Sequence, residues 1–146
     1  MSDWGSAAAG PDADVPAGAT VIDGAGRTVL PGLVDSHVHA FGTARADALR
    51  FGVTTVLDMF RAPGDFERTH RERDARVPIE RADLFSAGYL ATAAGGHGTQ
   101  YGIDVPILEH PALAADWVQA RLDEGSDWIK IVVEDGSTWS TTLPTL

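Results

Sequence analysis

Apolar positions along this chain switch repeatedly between two spacings. Leu33–His37, Val53–Met59, Ala82–Ala87 and Trp128–Val133 are short apolar, largely β-branched or aromatic runs, which predict strands. Between them, Ala44–Phe51 has the apolar spacing of a short helix stopped by Gly52, and Asp65–Arg76 reads as a polar helix ended near Pro78. Pro111–Glu124 reads as an amphipathic helix, with proline in its tolerant first turn and Gly125 as its stop. Residues 88–106 form a long Gly-rich connection. Strands that alternate with helices predict right-handed βαβ units and a parallel sheet, with the chemistry at the C-terminal ends of the strands. Upstream, Ala19–Ile22 and Arg27–Leu30 flank Asp23-Gly24-Ala25-Gly26 and predict a β-hairpin. Residues 1–18, rich in Ala, Gly, Pro and Asp, read as a loose arm, and Asp135–Leu146 shows no clear element.

Composition narrows the function. The 146 residues suit one domain with a real core, and a net charge of −10 argues against a nucleic-acid partner. Without cysteine there is no disulfide framework, thiolate metal site or thiol nucleophile. No apolar run is long enough to span a membrane, and Met1–Ser6 lacks the basic and apolar regions of a signal peptide, so a cytoplasmic location is expected. The Arg68–Arg76 run, interleaved with Glu72 and Asp74, reads as a solvated helix face.

His37 and His39 follow the apolar run Leu33-Val34-Asp35-Ser36 at positions i and i+2, where a strand aims both rings to one face. Two readings are open: a pair of hydrogen-bonded core histidines, or half of a first-row metal site. Lys130, the only lysine, lies within Trp128–Val133 among apolar neighbours. Burial favours its neutral amine, which can take up carbon dioxide as a carbamate and so become an anionic ligand able to bridge two metals. The other reading has it snorkel to the strand end, or pair with Glu134 or Asp127.

Val21–His39 taken together resembles the opening segment of the amidohydrolase superfamily, in particular the branch of imidazolonepropionase-like and metal-dependent prolidase-like enzymes. Phe51–Met59 is similar to strand two of that family, Ala94-Gly95-Gly96-His97-Gly98 to the loop after strand three, and Gly125–Ile131 to strand four with its carboxylated lysine. The resemblance implies a (β/α)8 TIM-barrel beside a small β-sandwich. Residues 1–31 would then be an arm and hairpin remnant of the sandwich, and residues 32–146 about the first four βα units of the barrel. It implies that His37, His39 and Lys130 are metal ligands, with a carboxylated, catalytic Lys130 in a binuclear site, zinc being the expected divalent ion. It implies hydrolysis of an amide-type C–N bond in a cyclic amide, dipeptide or related small molecule by metal-activated hydroxide. The family also uses two histidines after strands five and six and an aspartate after strand eight, which the chain does not reach. A complementary half-barrel chain or a homo-oligomer is therefore an expected partner.

Three further residues are candidates for contact with substrate. His97 and Tyr101 share the Gly-rich loop that should border the pocket, and Arg61, directly after strand two, has the geometry to hold a carboxylate bidentately. An exposed loop histidine and a surface arginine are the competing readings. Asp58 fits a capping or orienting role better than ligation. The alternative function is a catalytically incomplete half-barrel that binds or oligomerises.

Overall fold

The structure is a computed structural model that describes residue 10 and residues 13–75, 79–137 and 143–145. These fall into two units divided between Pro31 and Gly32.

In the first unit the expected turn forms without its hairpin. Arg27 N–H donates to Gly24 O at 2.8 Å, Ala25 N–H donates to Asp23 Oδ1 at 2.9 Å, and Gly26 takes a φ of +71°. The flanks Ala19–Ile22 and Arg27–Leu30 are not paired as strands. Val21, Ile22, Val29 and Leu30 are 75%, 86%, 94% and 73% exposed, so neither flank gains the apolar burial that a lone two-stranded ribbon needs. Most of the arm expected at residues 1–18 lies outside the described residues.

The second unit is a mixed α/β fold around a small parallel sheet. Its order is β1 (Leu33–Val38), α1 (Ala44–Arg50), β2 (Val53–Asp58), α2 (Phe66–Ala75), β3 (Asp83–Ser86) and α3 (Ala114–Asp123). The sheet order is β1-β2-β3, both pairings parallel, with Leu33 opposite Val53 and Val56 opposite Leu84. Helical crossovers are what parallel neighbours require. Gly52, at φ +84°, turns the chain from α1 into β2. The expected end of α2 near Pro78 lies outside the described residues. Pro111–Leu113 is a 3-10 turn leading into α3, capped by His110, whose Nδ1 accepts from Ala112 N–H at 3.1 Å.

Val56, Ala82 and Leu84 form one buried cluster, onto which Val38, Ala48 and Val53 pack. Phe60, Leu90 and Val105 form a second, joined by Tyr89, Ile103 and Val132. β1 is an edge strand, with Leu33 and Val34 60% and 59% exposed. The polar face of α2 is laced by Arg68–Glu72 and Arg71–Glu67 pairs, as its charge pattern implies, while Phe66 and Thr69 face inward.

The expected fourth strand, Trp128–Val133, is not a strand. A single parallel bridge joins Ile131 to Ala91: Ala91 N–H donates to Lys130 O at 2.8 Å and Val132 N–H to Ala91 O at 3.2 Å. Asp127 explains the interruption. Asp127 N–H donates to Ser86 O at 2.8 Å, but the Asp127 carboxylate then takes the Ser86 N–H, also at 2.8 Å. That side chain occupies the position where a ladder carbonyl would begin pairing with β3. Gly88, at φ +66°, then bends the chain beyond β3, so that residue 91 rather than the end of β3 meets Ile131. Gly88→Ala would set a Cβ 2.4 Å from Ser126 Oγ and 3.3 Å from the Phe66 ring at a positive φ. We expect it to cost about 1–3 kcal/mol of stability, read as a lower denaturant midpoint.

Candidate functional site

The C-terminal ends of β1 and β2 are held together by one carboxylate. Asp58 is fully buried at the end of β2; its Oδ2 accepts from Ala40 N–H at 2.8 Å and its Oδ1 from Phe60 N–H at 2.9 Å. Met59 N–H also donates to Val38 O at 2.9 Å, so the chain leaving β1 beside His39 is fixed to the chain leaving β2. Asp58 therefore orients backbone, in keeping with its expected role. Asp58→Ala leaves two of these amide groups without an acceptor, and we expect about 2–4 kcal/mol of destabilisation in a chemical melt.

Beyond these strand ends lies a cleft of about 580 Å³ lined by His39, Phe41, Phe60, Leu90, His97, Tyr101, Ile103 and Lys130. Phe60, Leu90 and Ile103 continue the second core cluster into its floor, which is apolar for a physical reason: the same packing builds both. Four of the six residues singled out from the sequence thus meet at one place. His37, on the exposed β1, sets its ring edge-on to His39 with centroids 6.1 Å apart. Arg61 is elsewhere: Nη2 donates to Asp65 Oδ1 at 2.7 Å, and the side chain lines a different cleft.

Lys130 is half-buried, and among the described residues no carboxylate lies within ion-pair distance of it. Burial lowers its pKa by penalising the ammonium, and the charge of Asp58 pulls the other way without cancelling the effect. The two carboxylates considered as partners for it are engaged elsewhere. Asp127 binds Arg73 Nη1 at 3.0 Å, and Glu134 Oε2 lies 2.6 Å from His97 Nδ1. The Glu134 carboxylate thus lies against the Nδ1 side of the His97 ring, an ion pair when the imidazole is protonated. Tyr101 packs edge-on against the same ring with centroids 6.1 Å apart.

Glu134 was considered from the sequence only as a partner for Lys130. Its pairing with His97 joins residues 37 positions apart in segments with no shared periodicity, so no spacing rule could have found it. The donor set is compatible with a divalent metal: two adjacent imidazoles plus an amine held toward its neutral, carboxylatable form. Among the described residues no three His, Cys, Asp or Glu side chains gather into a ready metal cage.

The chain is similar to several known proteins over part of its length. No family model matches it. It is 45% identical to an allantoinase of Streptomyces avermitilis over 33% of this chain and 13% of that protein. It is 32% identical to an enamidase of Eubacterium barkeri over 70% of this chain and 28% of that protein. Among solved structures, an uncharacterized protein aligns with a TM-score of 0.66 at 23% identity, covering 92% of this chain and 40% of that one. A Xaa-Pro dipeptidase with methionine bound in its active site aligns with a TM-score of 0.50 at 22% identity, covering 69% of this chain and 33% of that one. The chain thus spans less than a third of the length of these two curated relatives. The two curated likenesses point to the amidohydrolase superfamily over part of the chain, and the solved structures share its fold. No helix among the described residues is long and apolar enough to cross a membrane.

Proposed function

We propose that this chain supplies the first half of the active site of a metal-dependent hydrolase acting on amide-type C–N bonds. The observation that carries the reading is the convergence of Lys130, His39 and His97 on one apolar-floored cleft. The names of the relatives, an allantoinase, an enamidase and a Xaa-Pro dipeptidase, support an amide-type substrate: a cyclic amide, a dipeptide or a related compound. We place the sheet in a (β/α)8 barrel, in the imidazolonepropionase-like or prolidase-like branch.

His37, His39 and Lys130 would hold a divalent pair, zinc first among the candidates, which when bound would supply an activated hydroxide and polarise the scissile carbonyl. Each residue's contribution follows from its surroundings. The neutral Lys130 amine attacks carbon dioxide: its nitrogen lone pair forms the N–C bond, one C–O π pair moves to oxygen, and a nitrogen proton leaves to solvent. The product is an anion where a neutral amine stood. His97, with Glu134 against its Nδ1 side, can present Nε2 to the substrate, and Tyr101 can donate a hydrogen bond from the same loop. Phe60, Leu90 and Ile103 keep water from the floor, which strengthens every polar contact above it.

Glu134→Gln is expected to lower kcat/KM roughly 10–100-fold, the scale of losing a group that supports a functional imidazole. Steady-state kinetics checks this. The function itself is tested by incubating the native gene product with cyclic amides and dipeptides in the presence of Zn2+ and bicarbonate. Turnover of either class supports it, and stoichiometric metal without turnover of both rejects it.

The second reading, a binding or oligomerisation module, draws on one observation: Leu33, Val34, Ile131 and Val133 are 60%, 59%, 63% and 80% exposed. Apolar side chains of this kind beside an unpaired strand edge attract another chain. The partner would be a complementary half-barrel or a second copy. Light scattering at micromolar concentration is expected to show an assembly, and a monodisperse monomer would remove the reading.

A further inference from the structure

A second cleft, also about 580 Å³, lies on the other side of Phe41, which borders both. Arg45, Arg61, Arg68 and Arg81 line it, with Asp65 and Glu80. The charge there is unusual for a chain whose net charge is −10. Two carboxylates serve all four guanidinium groups. Asp65 accepts from Arg61 at 2.7 Å and Arg68 at 2.6 Å; Glu72 pairs with Arg68 at 3.1 Å, Arg81 at 2.5 Å and Arg45 at 3.6 Å. Glu80 joins no ion pair among the described residues, and even with it counted the cleft is net positive.

Arg45 and Arg61 are not solvated surface groups, whereas Arg68 and Arg81 are 50% and 40% exposed. The side chains of Arg45 and Arg61 are only 11% and 18% exposed, and Arg45 Nε is tied to Ala82 O at 2.8 Å. Burying several like charges together costs free energy that two shared carboxylates only partly offset. The strain shows in three places. Burial, and after it the neighbouring Arg81, hold the Arg45 guanidinium below its ordinary pKa against the pull of Glu72. The Nε atoms of Arg61 and Arg81 are buried without an acceptor. Each guanidinium carries five N–H donors, and the bonds above use few of them.

We propose that this cleft is a binding site for a small oxyanion, a phosphate or a carboxylate, separate from the His39–Lys130 cleft and independent of the hydrolase reading. Converging guanidinium groups match both kinds of anion bidentately, and an anion there would neutralise the excess charge and take up spare donors. Of its arginines only Arg61 stood out in the linear sequence, because the four come from α1, the turn after β2, α2 and the approach to β3.

The test is calorimetric titration of the full chain with inorganic phosphate and, separately, succinate, at constant ionic strength so that general screening does not change. Saturable binding of at least one anion is expected, and which of them binds more tightly assigns the source. Arg81→Gln should weaken that binding about tenfold, the scale of one charge-assisted contact. Glu80→Gln removes an opposing charge at an exposed position and should tighten it about threefold without risk to the fold. Lys130→Arg should leave it unchanged, because the two clefts are distinct. Failure of both anions to saturate, or an affinity unmoved by both Arg81→Gln and Glu80→Gln, would overturn the proposal. A loss of affinity in Lys130→Arg equal to that in Arg81→Gln would do the same.

Discussion

Lys130→Arg is expected to abolish amide hydrolysis in the active assembly while leaving the fold intact. The side chain borders an apolar-floored cleft, has no carboxylate within ion-pair distance among the described residues, and is pushed by burial toward its neutral amine. Those conditions favour carbamate formation. Arginine is of similar length but stays cationic at any accessible pH and cannot be carboxylated. It would therefore place a fixed positive charge where the proposed chemistry needs a negative one. The loss should be at least about 10²-fold in kcat, the scale of removing one electrostatic group at a reacting centre. Lys130→Ala gives the complementary result: inactive alone, it should regain some turnover when acetate or formate is added to fill the vacated space. Turnover at the parent rate by Lys130→Arg in bicarbonate-free buffer would show that the lysine has no such role.

The second large effect is on metal retention. The double variant His37→Ala, His39→Ala should bind zinc more weakly by well over the roughly 10–100-fold that follows loss of a mere supporting contact. Both imidazoles sit at the end of exposed β1, 6.1 Å apart, and contribute little to the buried clusters. The variant should therefore melt near the parent temperature, which separates loss of metal from loss of fold. Elemental analysis after gel filtration reads the outcome directly. Stoichiometric zinc retained by the double variant would remove both histidines from the site.

Local pattern carried much of this fold. The spacing of Ala44–Phe51, Val53–Met59 and Asp65–Arg76 anticipated α1, β2 and α2 to within a residue or two, because each depends on its own amphipathicity and on a nearby stop such as Gly52. What could not be read was whether an apolar run would find a neighbour. Trp128–Val133 has the composition of a strand, yet Asp127 captures the Ser86 N–H and leaves a single bridge at Ile131. Ala19–Ile22 and Arg27–Leu30 have hairpin chemistry at their turn but no buried face. Both outcomes turn on contacts remote in sequence, which periodicity does not encode.

The cleft divides in the same way. His39 stood out after an apolar run, Lys130 within one, and His97 and Tyr101 in the Gly-rich loop, and the structure gathers them round one space. Glu134 behind His97, and the apolar floor of Phe60, Leu90 and Ile103, arise only from tertiary packing. Arg61 shows the converse. Its place after β2 made it a candidate for the same pocket, but the pairing with Asp65 at the start of α2 turns it into the arginine-lined cleft instead.

The most direct test of metal-dependent hydrolysis is the rate on an amide substrate before and after chelation. The native gene product is assayed, dialysed against a chelator, assayed again, and then supplied with Zn2+ and bicarbonate. The account predicts that the rate falls to background on chelation and returns only when both are restored. An undiminished rate in metal-free buffer would contradict it.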